Sequence, residues 1–391
     1  MKMYHVFISD GRLYIHDDDG IREITSKFAA EKAEEAERQR ELHSWKAEGG
    51  QESIYFSADT IWGRQARAIP FRGFRFKAVT IKDSDTLYYL LTNDFITGLF
   101  RYSVRDDEEV RLFHKREFTE LGMDYLTDTN EFVAAVVMEG GNVNIELLDS
   151  EGRYNQTLTS GDSRDCNPSF SKFNNRDVLY QTAGIARGEE GFVVAYGPEA
   201  IHKVRIDTGD ITELLSDDKY DYLLPRDDMN GNLYCIRRPY LQPYYVSPLK
   251  ILINILTFPV RFVIAIVNFL NAFTKLFSER PFTPIGPDIR PRIENKYINV
   301  LGRTIDLAKI QRSTKSIDRA SLVPKSWELV KLSKEGQLET IAKKVSSFDI
   351  DTNGNVHFTN GFRVNELIEA QAKTVFRHRV IENIKVVSIA R

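Results

Sequence analysis

Cysteine is nearly missing from this sequence: Cys166 and Cys235 are the only two in 391 residues. Two thiols cannot build a disulfide framework and are too few for a cysteine-based structural zinc site. Both are therefore expected as buried free thiols, which suits a reducing compartment. No secretion signal is expected either. The opening Met1-Lys2-Met3-Tyr4-His5-Val6-Phe7 runs straight into a strand pattern, with no apolar stretch before a small-residue cleavage site, so a cytoplasmic location is expected. No Gly-x-Ser-x-Gly elbow, His-Glu-x-x-His helix or phosphate loop occurs. The seven histidines, at 5, 16, 43, 114, 202, 357 and 378, show no ligand spacing. The local motifs thus indicate no catalytic residue, no cofactor and no metal site; His202 and His357, within strands, are expected to pack or to face water.

What is present is a charge asymmetry beneath a net charge of −3. Residues 246–325 hold 13 Lys and Arg against 5 Asp and Glu, a net +8, and the rest holds 40 against 51, a net −11. There is also a repeat. A period-2 run, a short acidic or glycine turn and a second run recur, as in Leu13 to His16, Asp17-Asp18-Asp19-Gly20 and Ile21 to Ile24. Similar units turn at 149–152, 207–210 and 333–336, and weaker ones near 105–109 and 369–372. Asp, Gly and Ser tolerate turn geometry while β-branched and aromatic neighbours favour a pleated surface, so each unit reads as a hairpin.

A second hairpin type precedes most of these. Its best pair is Asp228-Met229-Asn230-Gly231-Asn232 and Asp351-Thr352-Asn353-Gly354-Asn355, with looser copies at 83–85, 128–130 and 174–177. With four strands a to d per unit, the second type joins a to b and the first joins c to d. Six c-to-d turns against five a-to-b turns leave the first unit one strand short. Residues 385–390 are expected to supply it beside Tyr4 to Ser9, which would close a ring and remove its exposed edges. The expected fold class is all-β: a six-bladed β-propeller, residues 1–391 as one domain, closed by its N- and C-terminal strands.

Successive c-to-d turns lie roughly 88, 44, 58, 126 and 36 residues apart, against about 40 to 45 for one blade. The excesses place insertions at 25–70, a charged helix and linker; at 184–199, a loop; and at 240–325. All three fall in b-to-c or d-to-a links, which alternation of strand direction puts on one face.

Cys166-Asn167-Pro168-Ser169-Phe170-Ser171-Lys172-Phe173-Asn174-Asn175, running into Val178 to Thr182, resembles the Asn-Pro-x-Phe-Ser-Pro-Asp-Gly repeat of TolB-type and WD40-like propellers. Lys172 stands where the repeat has Pro, and the Asp-Gly is absent. The resemblance implies a six-bladed ring and a protein-binding role, and it carries over no catalytic residue.

From Lys250 to Lys275 the polar residues fall almost entirely within one stripe roughly 100° wide of a helix, and the remaining circumference is Leu, Ile, Val and Phe. This reads as an amphipathic helix, kinked at Pro259. Spanning a membrane is disfavoured, because Arg261 sits mid-segment and a single crossing would strand the strands that follow. Two readings stay open. The helix lies in the interface of an anionic membrane, with Lys250, Arg261 and Lys275 toward headgroups, or it packs on a protein partner or on the propeller's own face. The contact residues would be Leu249, Lys250, Leu252, Leu256, Phe258, Arg261, Phe262, Ile266, Phe269, Leu270, Phe273, Lys275, Leu276 and Phe277. Beyond it come a Pro-rich stretch, a short strand at 297–301 and the basic residues Arg303, Lys309, Arg312, Lys315 and Arg319, expected as a solvated loop. No aromatic interleaving marks them as a nucleic-acid surface.

Ser26 to Trp45 reads as a highly charged helix with a thin apolar stripe, a solvated arm. Asp349-x-Asp351-x-Asn353-Gly354 imitates a calcium loop, but Asn360 stands where Glu is needed, so a hairpin turn is expected. The expected function is a non-enzymatic scaffold or interaction module, docking through 246–325 on a membrane surface or a protein partner. The alternative is a hydrolase or lyase at the central channel. Three or more carboxylates or histidines converging at one channel mouth would favour that alternative.

Overall fold

The computed structural model describes residues 2–48, 73–93, 96–116, 120–241, 256, 258–259, 262, 297–307, 310, 320–368 and 371–389. They form an all-β architecture of four four-stranded antiparallel sheets, a nine-stranded sheet that divides into a four-stranded and a five-stranded part, one long helix and a small extra hairpin. The first sheet contains β1 (Lys2–Ser9), β2 (Arg12–Asp17) and β3 (Gly20–Ile24), completed by β27 (Ile381–Ile389). The second is β4 (Arg75–Ile81), β5 (Thr86–Thr92), β6 (Ile96–Ser103) and β7 (Glu108–Arg116). The third is β8 (Glu120–Leu126), β9 (Glu131–Val137), β10 (Val143–Leu148) and β11 (Tyr154–Thr157). In the fourth, β12 (Ser163–Phe170), β13 (Asp177–Arg187), β15 (Ala200–Arg205) and β16 (Ile211–Leu215) follow in order, with β14 (Val193–Tyr196) on the far end of β13. A single parallel pairing, Val143 with Arg164, links the third and fourth. The fifth is β17 (Tyr220–Asp227), β18 (Leu233–Pro239), β21 (Glu328–Leu332) and β22 (Leu338–Lys343). The sixth is β23 (Ser347–Ile350), β24 (Val356–Thr359), β25 (Arg363–Ile368) and β26 (Gln371–Arg377).

Burial explains this order. Second strands are covered on both sides and carry unbroken apolar runs, such as Leu87 to Leu91 in β5 and Phe132 to Val136 in β9. Fourth strands are largely exposed, as in β16, β22 and β26. Six apolar clusters lie between consecutive sheets. Val6 and Ile15 meet Val79 and Tyr89; Tyr88 meets Tyr125 and Phe132; Ile145 meets Phe170 and Tyr180. Leu179 and Ile201 then meet Tyr222 and Cys235, and Ile236 and Trp327 meet Phe348 and Phe358. Finally Val364 and Phe376 of the sixth sheet meet Phe7 and Ile384 of the first. β27 runs antiparallel to β1 from the Lys2–Ile389 pair to the Ser9–Ile381 pair.

Two turns show how the sequence sets the hairpins. Asp228 Oδ1 accepts the N–H groups of Asn230 and Asn232, both at 2.9 Å, and Asp351 Oδ1 does the same for Asn353 and Asn355 at 2.9 and 2.7 Å. Gly231 and Gly354 complete both turns at φ of 80° and 85°, a region open to glycine. The acidic pattern at 349–354 is thus a hairpin turn whose carboxylate caps its own backbone.

Residues 184–199, expected as a loop, form a hairpin instead: β13 runs on to Arg187 and β14 returns along it. Within 240–325 the short strand at Tyr297–Val300 (β19) pairs with β20 (Arg303–Asp306). Arg303 is correspondingly not a solvated loop residue, since it packs over the buried ring of Trp327 and pairs with Asp221. Lys309, Arg312, Lys315 and Arg319 lie outside the described residues.

Candidate functional site

Each inner strand runs toward the turn into its second strand. There a cavity of about 500 Å³ opens, and every sheet contributes one inner-strand polar residue: Thr80, Asp124, Ser169, Arg226, Asp349 and Lys385. Asp124 is the hub. It accepts from Thr80 Oγ1 at 3.0 Å, Ser169 Oγ at 3.1 Å and the Phe170 N–H at 3.1 Å, and Lys385 Nζ lies 3.4 Å away. Burial alone would raise its carboxyl, but the charges of Lys385 and Arg226 and the two hydroxyls hold it below the usual range.

Comparable acid-to-strand ties recur around the cavity. Asp227 accepts from the Lys172 N–H at 2.7 Å and from the Ser171 hydroxyl, while Asp349 accepts from the Val386 N–H at 2.9 Å. Carboxylates do converge at this cavity, the condition set for a hydrolase or lyase. They are nevertheless engaged in holding the strands: Asp83 caps its own turn through the Asp85 and Thr86 N–H groups, and Asp128 accepts from Asn175. No group of three metal-ligating side chains forms among the described residues.

Two of the inner strands also share a bulge. In β12 the register shifts between Cys166 and Ser169, around Asn167 at φ 50° and Pro168. In β17 it shifts between Leu223 and Arg226, around Leu224 at φ 53° and Pro225. Asn167 Nδ2 and the Leu224 N–H both donate to Gln181 Oε1, at 3.0 and 3.1 Å, which ties the two bulges together. The Leu-Pro copy is a signal in the sequence that the reading of the Asn-Pro repeat missed.

Helix α1 (Lys27–Glu48) starts from a firm base. Ser26 caps it by accepting the Ala29 N–H, Glu109 accepts from the Phe28 N–H, and Phe28 packs on Phe74 and Phe100. Of the fourteen contact residues proposed from sequence, three are described. Leu256, Phe258 and Phe262 are helical and 77%, 63% and 54% exposed, with the two rings stacked 5.8 Å apart. Leu249, Lys250, Leu252, Arg261, Ile266, Phe269, Leu270, Phe273, Lys275, Leu276 and Phe277 lie outside the described residues. No described helix is long and apolar enough to cross a membrane.

A histidine pair escaped the sequence reading because its members are 352 residues apart. His5 Nε2 and His357 Nδ1 lie 3.1 Å apart at the seam between the first and sixth sheets. The remaining nitrogens, His5 Nδ1 and His357 Nε2, are buried without a partner. Burial, then His357 and His16, push His5 down to about 3, and burial lowers His357 as well. Both cysteines are buried free thiols, with Cys166 pushed up to about 12 by burial.

No family model matches the chain, and no curated protein matches it. Similar solved structures include TolB from Acinetobacter baumannii, at 9% identity and a TM-score of 0.48, covering 98% of this chain and 66% of that one. A chain of a nidogen/laminin complex is similar at 7% identity and a TM-score of 0.49, with 99% and 98% covered. The tricorn protease is similar at 11% identity and a TM-score of 0.45, with 98% of this chain but 34% of the protease covered. The architecture rests on the strand pairing itself. The resemblance to TolB-type propellers, read from residues 166–182, recurs among the solved structures similar to the chain.

Proposed function

We propose that the chain is a non-enzymatic six-bladed β-propeller, closed through its terminal strands, that serves as a cytoplasmic interaction module and docks on an anionic membrane surface through residues 246–325. The observation carrying this reading is the outward display of Leu256, Phe258 and Phe262 from a segment of net charge +8. Burying each such side chain contributes about 1.5 to 3 kcal/mol, and each Lys or Arg near an anionic surface about 1 kcal/mol more. The cyclic order of the six inter-sheet clusters supports the closed ring. A protein partner is the second reading. Phe192, Val194 and Tyr196, exposed at alternate positions along the β13–β14 hairpin, favour it.

Liposome co-sedimentation tests the first reading, with the intact chain compared to a version carrying a Gly/Ser linker in place of 249–277. Binding to anionic vesicles by the intact chain alone is expected. An intact chain that ignores such vesicles and stays monomeric without detergent would overturn it.

A further inference from the structure

A second cavity, of about 330 Å³, lies among β12, β14, β18 and the β19–β20 hairpin, and three arginines line it: Arg164, Arg238 and Arg303. They share two carboxylates. Arg164 Nη1 donates to Glu199 Oε1 at 2.9 Å, Arg238 Nε to Asp221 Oδ2 at 2.8 Å, and Arg303 Nη2 reaches the same Asp221 oxygen at 3.3 Å. Glu199, Asp221 and Arg238 are almost wholly buried. The site therefore carries one guanidinium more than its carboxylates neutralise.

The arginines are also held in place. Arg238 and Arg303 lie over the Trp327 ring, 4.9 and 5.6 Å from its centroid, and Arg164 lies over Tyr196 at 5.1 Å. Arg238 Nη1 donates to the Leu301 carbonyl at 2.7 Å, and Arg303 Nη2 to that of Pro239. Arg164 and Arg303 both line the cavity and keep part of their side-chain surface exposed. Fixed, planar donors with a surplus positive charge and room beside them match an oxyanion that accepts several N–H groups at once.

We propose that this cavity binds a small tetrahedral oxyanion of the phosphate or sulfate class through Arg164, Arg238 and Arg303. Glu199 sets its pH response. Gln181 faces it from β13, Arg164 from β12, Asp221 from β17 and Arg238 from β18, with Arg303 across the cavity. Burial, resisted by Arg164 and reinforced by Asp221, raises its carboxyl to about 7. Below that pH one negative charge leaves the site, so an anion binds more tightly at pH 6 than at pH 8.

Sulfate is the probe, because it stays a dianion across this range while phosphate does not. The full chain is titrated with sodium sulfate by calorimetry at pH 6.0 and 8.0, with ionic strength held constant by chloride. Saturable one-to-one binding is expected, several-fold tighter at pH 6.0. Arg303→Gln should weaken it at least tenfold, and Glu199→Gln should remove the pH dependence. Arg164→Gln is the companion variant should Arg303→Gln fail to fold. Heats no larger than those of matched chloride, or variants that bind sulfate as the parent does, would overturn the proposal.

Discussion

Replacing His5 with leucine should make the protein less stable at neutral pH yet less sensitive to acid. His5 is 2% exposed and its folded-state value is lowered to about 3, whereas an unfolded histidine titrates near 6.5. Below pH 6.5 the unfolded chain takes up a proton that native His5 refuses. The stability His5 contributes is thus fully present above about 6.5 and is lost as pH falls toward 3, at about 1.4 kcal/mol per pH unit. Between pH 7.5 and 5.0 this amounts to about 2 kcal/mol. His357, shifted the same way, adds to the loss. Glu199 acts with the opposite sign, because its raised carboxyl takes up its proton first in the folded state as pH falls. Its contribution is common to both proteins and cancels in their difference. Urea unfolding followed by tryptophan fluorescence at pH 7.5, 6.5 and 5.0 measures that difference. His5→Leu should cost about 1 to 3 kcal/mol at pH 7.5, through the unpaired His357 nitrogen, and should then lose about 2 kcal/mol less than the parent on going to pH 5.0. Parallel stability curves for the two proteins would refute the reasoning.

Asp124→Asn, which leaves the Lys385 ammonium and Arg226 without their counter-charge, should lower stability by about 3 to 5 kcal/mol in the same urea assay. Gly361→Ala should cost about 2 to 4 kcal/mol: its φ is 92°, and an added Cβ would stand 2.2 Å from Leu322, so a lowered thermal midpoint is the readout. Asn167→Ala loses the bond to Gln181 and places alanine at φ 50°, which should cost about 1 to 3 kcal/mol. Cys166 and Cys235 should resist a thiol-specific disulfide reagent at pH 8 in the folded protein and react fully in urea; fast labelling without denaturant would contradict their burial.

The turns were legible because a hairpin is chemically local. Asp228 and Asp351 bond to N–H groups two and four residues on, so the sequence carries both partners of each contact. Alternating runs likewise marked the strands. The β13–β14 extension was not legible, since Val193 to Tyr196 is short and sits among glycines and acids that read as loop. The polar residues of the larger cavity come one from each sheet, so Asp124 and Lys385 are 261 positions apart and share no local pattern. The three arginines were hidden for the same reason: Arg303 looked like one basic residue in a polar stretch, and only the fold sets Trp327 beneath it.

The pairing of β27 with β1 also bears on how the chain is made. The strand that covers β1 is the last of the described strands to be synthesised. At roughly 5 to 20 residues per second, on the order of 20 to 75 seconds pass between the emergence of the two partners. Throughout that interval Tyr4, Val6 and Ile8 sit on an open strand edge, a template for pairing with another chain. The time before closure, more than the depth of the final energy minimum, would then govern yield. Holding that first edge apart from its neighbours is a task for whatever binds the nascent chain.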